Sequence, residues 1–311
     1  MKTKTEDYLE IFNQLDFTRI KDHPNILIAA NFWDKERCTA AKICYKLLRE
    51  IDDYIDNYKS GHPVITANEK ERMVNHVNKW VTRLQKGSAE ESVESELAEV
   101  FHTFQIPLWP MELFARSMIY DIYNDGFPSV QAFLDYAQGA SIAPASIFVH
   151  LCGIKKIDGH FIKPIFDIRE AATPCATFSY LVHIIRDFQI DQESNLNYFA
   201  DNLIQKYGLT RQDLLDMAHG GKIQSGFRQL IREYMQVMDL YRQQTFAMIE
   251  KISPYLEPKY QLSLHIIFTL YLMIYERIDP EKGSFSTSEL NPTAEEIKER
   301  VYQTICKFQE N

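Results

Sequence analysis

The chain has 311 residues, 45% of them hydrophobic and 25% charged, with a net charge of -9. This is ordinary globular composition, enough for a sizeable core, and length alone allows one domain or two. The acidic balance and the lack of any basic run argue against nucleic acid as a partner. The acidic excess would not draw the chain to an anionic membrane surface either. The five cysteines, Cys38, Cys44, Cys152, Cys175 and Cys306, are odd in number and show no CxxC spacing, so a reducing, cytoplasmic setting is expected. The N-terminal MKTKTEDYLEIF has no apolar core and is not expected to act as a signal peptide.

In chain order, the apolar spacing predicts a first amphipathic helix over residues 5–20. His23–Asp34, HPNILIAANFWD, leads into a helix running to about Tyr58. On its wheel Cys44, Leu47, Leu48, Ile51 and Ile55 form one apolar stripe, and Tyr45, Arg49, Asp52 and Asp56 form a second beside it. Asp52 and Asp56, with Asp53 between them, stand one turn apart and repel unless a cation lies near. Ser60-Gly61-His62-Pro63 breaks this helix, as a connector or as a flap over an acidic site. Asn68 is read as the N-cap of a helix to about Leu84, and Lys86 to Ser95 as a polar loop. A helix over 95–105 ends at Pro107, and Trp109-Pro110 opens another that reaches Asn124. Asp121 and Asp125 on it read as a surface pair.

From Phe133 to Leu151 the pattern predicts one helix, kinked by Pro144. Its small residues, Gly139, Ala140, Ser141, Ala143 and Ala145, suit close packing or the wall of a pocket. Residues 154–166, with Asp158-Gly159, read as a loop. A helix over 167–192 carries YLVHIIRDFQID, in which Tyr180, His183, Asp187 and Asp191 share one face. A short helix ending at Gly208 follows. Thr210-x-x-Asp213 starts the next and Gly220-Gly221 stops it. Helices over about 222–251 and 256–278 and a last one after Asn291-Pro292-Thr293 complete the chain. The apolar run from Leu262 to Tyr275 is too short to span a bilayer and reads as a core helix. No sustained alternation of β-branched residues occurs, so the expected class is all-α, as one domain over 1–311.

Each acidic helix can be a solvated face, or the two can be opposite walls of one cleft. Sites in helical bundles are built from inward-facing side chains on facing helices. Mg²⁺ bound by one or two carboxylates and by phosphate oxygens would bridge such walls to a diphosphate.

At these two motifs the chain resembles the squalene/phytoene synthase family. Its first motif, Tyr, then Arg, then Asp-Asp-x-x-Asp, is matched by Tyr45, Arg49, Asp52, Asp53 and Asp56. Its second, Arg-Asp-x-x-x-Asp followed by a Tyr in a short helix, is matched by Arg186, Asp187, Asp191 and Tyr198. A late Tyr271 and Ile278 also correspond, and the family has an aspartate in a place similar to Asp121. The resemblance implies an isoprenoid synthase bundle with a central cleft. It also implies Mg²⁺-assisted ionisation of an allylic prenyl diphosphate and head-to-head joining of two prenyl chains, with farnesyl diphosphate favoured. Asp52, Asp53, Asp56, Asp187 and Asp191 would then hold metal. Tyr45, Arg49, Arg186, Tyr180, Tyr198 and Tyr271 would hold substrate, with Tyr45, Arg49, Arg186 and His183 acting in catalysis. Tyr45, Phe148, Tyr180 and Tyr271 could turn ring faces to a carbocation. The apolar product would call for a peripheral membrane contact on release.

Three departures stand out. Tyr180 and His183 replace a Gln and an Asn of the family. HPNILIA is poor in hydroxyls where the family is rich in them. FSTSELNPTAEEI replaces a basic tail, which argues against NADPH use. The alternatives are an enzyme of this fold acting on a single prenyl diphosphate, and a non-catalytic isoprenoid-binding protein.

Overall fold

The computed structural model describes residues 4–18, 25–62, 64–86 and 93–308. Helices dominate, and the buried side chains form one continuous cluster. The first helix, α1 (Lys4–Asn13), is shorter than its periodicity suggests, and Arg19 to Pro24 lie outside the described residues. After α2 (Asn25–Ala30) comes α3 (Lys35–Gly61), capped by the Asp34 carboxylate, which accepts from the Arg37 amide at 3.0 Å. Cys44, Leu47, Leu48, Ile51 and Ile55 are all buried, so the apolar stripe of α3 faces the core. Of the predicted break after α3, Pro63 lies outside the described residues.

The cap of α4 (Ala67–Lys86) is Thr66, not Asn68. Its hydroxyl and amide both reach the Glu69 carboxylate, at 2.6 and 2.8 Å. Then follow α5 (Val93–Thr103) and α6 (Trp109–Tyr123). The expected kinked helix over 133–151 is two helices, α7 (Val130–Ala137) and α8 (Ala143–Gly153), joined by a π-helical turn at Gln138–Ile142. Pro144 has no N–H and its ring crowds the carbonyl four residues back, so the ladder opens before the proline rather than at it.

The segment read as a loop holds a β-hairpin, β1 (Lys155–Ile157) and β2 (His160–Ile162), with Lys155 opposite Ile162. Asp158 (φ 49°) and Gly159 (φ 82°) both adopt the left-handed conformation that a tight two-residue hairpin requires. Phe161 anchors it, 4.6 Å centroid to centroid from Phe104.

The predicted helix over 167–192 is broken into α9 (Ile168–Arg186) and α10 (Phe188–Glu193), with Asp187 at the joint (φ −94°, ψ 7°). Tyr198 lies on an extended stretch, which forms a parallel bridge at Phe127 and Ala200, and not in the short helix α11 (Asp201–Lys206). α12 (Arg211–Ala218) begins with the expected Thr210/Asp213 capping box. The long α13 (Ser225–Ile252) and the almost wholly buried α14 (Pro258–Tyr275) follow. Last come the short α15 (Thr287–Leu290) and α16 (Ala294–Lys307). No helix among the described residues is long and apolar enough to cross a membrane. α9 is central, packed against α13, α8 and α14, while α3 lies on α5, α6 and α8.

Candidate active site

The two acidic stripes face each other. Asp52, Asp53 and Asp56 of α3 and Asp187 and Asp191 of α9 and α10 line one cavity, together with Arg49, Tyr180, His183, Tyr198 and Tyr271. The break at Asp187 does not scatter the second motif. The Asp191 amide still donates to the Asp187 carbonyl at 2.8 Å, so both carboxylates stay one turn apart. Arg186 is not among the residues lining this cavity; its guanidinium is forked onto Asp187, which does line it, through two hydrogen bonds of 2.7 Å. Arg49 lies 3.0 Å from Asp52 and 2.6 Å from Asp53. Each arginine therefore pairs with a neighbouring aspartate.

Burial pushes the Asp52 carboxyl up to about 7, with repulsion from Asp56 adding to it. Asp56 rises to about 6 through burial and the charge of Asp121, and Asp191 to about 8 through burial and the charges of Asp187 and Asp56. Asp187 goes the other way. Burial opposes ionisation there too, but His183 and the Arg186 fork outweigh it and hold the carboxyl well below the usual range. His183 Nε2 stands 2.6 Å from Asp187 Oδ2. Burial, then the Arg186 charge, lower its pKa, so at neutral pH the imidazole is neutral and gives Nε2–H to that carboxylate.

Asp121 and Asp125 do not form the expected surface pair. Asp125 is indeed exposed, but Asp121 is buried, accepts from the Tyr136 hydroxyl, and is raised to about 7 by burial. Its charge reaches Asp56 and Tyr180, so it belongs to the same electrostatic cluster. Tyr180 stacks on Phe133 at 5.1 Å, and Tyr198 meets Tyr180 edge-on at 6.3 Å. Spacing on α6 offered no sign of this, because the partner Tyr136 comes from the later helix α7.

A second, apolar cavity of about 240 Å³ adjoins the acidic one. Ala140, Ser141, Ser179 and Tyr271 line both, forming the rim where cleft becomes tunnel. Tyr45 and Phe148 lie in the tunnel rather than in the acidic cavity. The small-residue run divides its work. Ala140, Ser141 and Ala145 line the tunnel, while Gly139 packs against the α6 backbone and Ala143 is buried. Cys175 lines the tunnel too, its thiol pushed up to about 11 by burial and so unreactive.

Among the described residues, no three His, Cys, Asp or Glu side chains are grouped so as to hold a metal ion by themselves. The donor set nevertheless fits a hard divalent cation shared with a ligand. Asp56 and Asp191 make no side-chain hydrogen bond or ion pair among the described residues, and they repel each other across the cavity. Mg²⁺ typically takes only one or two carboxylates and fills its octahedron with phosphate oxygens and water.

Solved structures share this architecture. A dehydrosqualene synthase in complex with ligand matches with a TM-score of 0.68 at 13% identity, over 98% of this chain and 100% of that one. The squalene synthase HpnC from Alicyclobacillus acidocaldarius matches at 0.58 and 11% identity, over 80% and 96% of the two chains. YisP from Bacillus subtilis subsp. subtilis strain 168 matches at 0.57 and 13%, over 96% and 98%. At these identities the likeness concerns the fold. No curated protein matches the sequence. The squalene/phytoene synthase family model, however, matches residues 21–294, most of the chain and both acidic motifs. The chain thus belongs to the squalene/phytoene synthase family of prenyltransferases.

Proposed function

We propose that this enzyme, acting as one domain, ionises an allylic prenyl diphosphate, favouring farnesyl diphosphate, and joins two such chains head to head. The observation that carries this is the rim. Ala140, Ser141, Ser179 and Tyr271 belong at once to a carboxylate-lined cleft and to an apolar tunnel. A molecule with a polyanionic head and a hydrocarbon tail fits that junction.

When bound, Mg²⁺ between the two acidic walls would supply Lewis-acid stabilisation to the departing diphosphate. Asp52, Asp56, Asp187 and Asp191 would hold it, with Asp53 steadying Arg49. Arg49 and Arg186 give the leaving group further positive charge, guanidinium being matched to phosphate oxygens. His183 holds Asp187 in place through Nε2. Tyr180 and Tyr198 floor the cleft. The tunnel keeps water from the carbocation, and Tyr45, Phe148 and Tyr271 line it, supplying aromatic rings that favour a cation. The apolar product would leave toward a membrane surface from a cytoplasmic enzyme.

One feature favours a second reading, in which a single prenyl diphosphate is ionised and then cyclised or quenched by water. Tyr180 and His183 stand where the family carries amides, and His183 Nε2 is committed to Asp187. The test is incubation with farnesyl diphosphate and Mg²⁺, with and without NADPH, measuring diphosphate release and product mass. A hydrocarbon with twice the carbon count of the substrate, formed without NADPH, is expected. The tail that departs from the family folds instead around Glu289, whose carboxylate accepts from the Ser284 and Phe285 amides. A product with the substrate's own carbon count would establish the second reading. No diphosphate release would leave an isoprenoid-binding protein.

A further inference from the structure

One side wall of the tunnel lies between α13 and α14, which touch only lightly. α13 packs chiefly along α9, and α14, which also lies on α9, packs most closely on α2 and α16. The seam between α13 and α14 beside the tunnel is filled by side chains. Ile249 of α13 stands in it. Among the described residues, it alone lines both the tunnel and a second cavity on the outer side, bounded by Phe246, His265, Thr269 and Thr304. It is 5% exposed, so it fills the gap rather than fringing it.

Depth makes this position matter. From Tyr271 at the rim to Leu264, α14 carries the tunnel wall down about 10 Å at the usual helical rise. Ala171, Ile252 and Leu264, which also line the tunnel, are buried. Behind Ile249 lies the outer cavity, which would give a longer chain added room if that side chain were smaller.

We propose that Ile249 limits the length of prenyl chain this enzyme accepts, by plugging the seam between α13 and α14. The inference rests on the reading that the tunnel holds the prenyl tail. Ile249→Ala joins the two cavities and admits an additional isoprene unit, whereas Ile249→Phe narrows the tunnel. The experiment is a competition between geranyl, farnesyl and geranylgeranyl diphosphates, reading the ratio of kcat/KM values for diphosphate release. A ratio is used because a general loss of folded enzyme cancels in it. Ile249→Ala is expected to raise the geranylgeranyl-to-farnesyl ratio by at least about tenfold, since even one methylene in an apolar pocket is worth that much. Ile249→Phe is expected to shift the ratio toward geranyl diphosphate. Ile249→Val, which removes a single methyl, shifts it in the same direction as Ala by less, and serves if the Ala variant does not fold. Ratios unchanged from wild type in the folded small variant and in Ile249→Phe overturn the plug and leave the catalytic reading standing. A wild-type enzyme that releases no diphosphate from any of the three overturns both.

Discussion

Asp52 and Asp187 face the same cavity, yet their carboxyls are pushed in opposite directions. Asp52 has one shared arginine and a repelling neighbour in Asp56, whereas Asp187 has Arg186 forked onto it and His183 at 2.6 Å. An amide at position 52 or 56 removes repulsion, so it spares the fold while removing a charge a metal would need. Asp52→Asn, Asp56→Asn and Asp187→Asn are each expected to lower diphosphate release by about 100-fold or more. Circular dichroism should stay unchanged. Wild-type rates in all three folded variants would sink the metal-site reading. His183 makes a second prediction at this scale. The family resemblance implies a catalytic part for His183, but Nε2 faces Asp187, and the lowered pKa leaves the ring neutral at pH 7. It protonates only as the pH falls below the ordinary histidine range. The pH–rate profile should therefore carry one acid limb from the carboxyls that titrate at about 6 to 8 and a second, at lower pH, from His183, and only the second should change in His183→Asn. If only the Mg²⁺ requirement moves, the imidazole acts in the metal shell. If neither moves, it is a packing residue.

At the scale of elements, the joint between α7 and α8 sets the rim. The π-helical turn places Ala140 and Ser141 at the mouth of the tunnel, and Ser141 donates to the Ala176 carbonyl of α9 at 3.0 Å. That turn lies tight on α6. A Cβ on Gly139 would stand 2.1 Å from the Leu113 carbonyl oxygen and 2.3 Å from Ser117 Oγ. Ser117 could rotate away, but the Leu113 backbone cannot. Gly139→Ala is thus expected to cost about 1–3 kcal/mol, the usual range for overpacking. The denaturation midpoint reports it, and an unchanged midpoint would show that α6 and the turn are not in such contact. The small residue is needed here for close approach. Its neighbours two and six positions on, Ser141 and Ala145, are small because they line a cavity.

For the whole molecule, the clustered carboxyls make a prediction about stability and pH. Asp52, Asp56, Asp121 and Asp191 all titrate above the usual 3.8, at about 7, 6, 7 and 8. The folded protein therefore holds protons there that the unfolded chain has already released. Their contribution is fully present below the unfolded value and is lost as the pH rises through the folded values. Asp187, depressed by its partners, acts oppositely, but only at pH below the carboxylate range. In the presence of a chelator, the melting temperature should fall as the pH rises from about 5 to 8. Mg²⁺ with inorganic diphosphate should restore it most at the alkaline end, where the carboxyls are ionised and free to bind. A chelated protein equally stable at both ends would show that these carboxyls do not crowd one another.

What the sequence determined alone is what depends on near neighbours. The helical period put Asp52 beside Asp56 and Asp187 beside Asp191, each next to a buried stripe, and the break at Asp187 left its pair in register. Capping boxes at Thr210 and Thr293 were written within four residues. The Asp158-Gly159 turn was equally local, and its left-handed pair of residues was a hairpin signal that the reading passed over. Tertiary structure decided what depends on which helices face each other. It buried Asp121 under Tyr136 and drew it into the acidic cluster. It also put Tyr45 in the tunnel instead of the cleft, joined Ser141 to Ser179 at the rim, and left Ile249 between two cavities. Burial and through-space repulsion act between residues far apart in the chain, and no spacing along one helix encodes them.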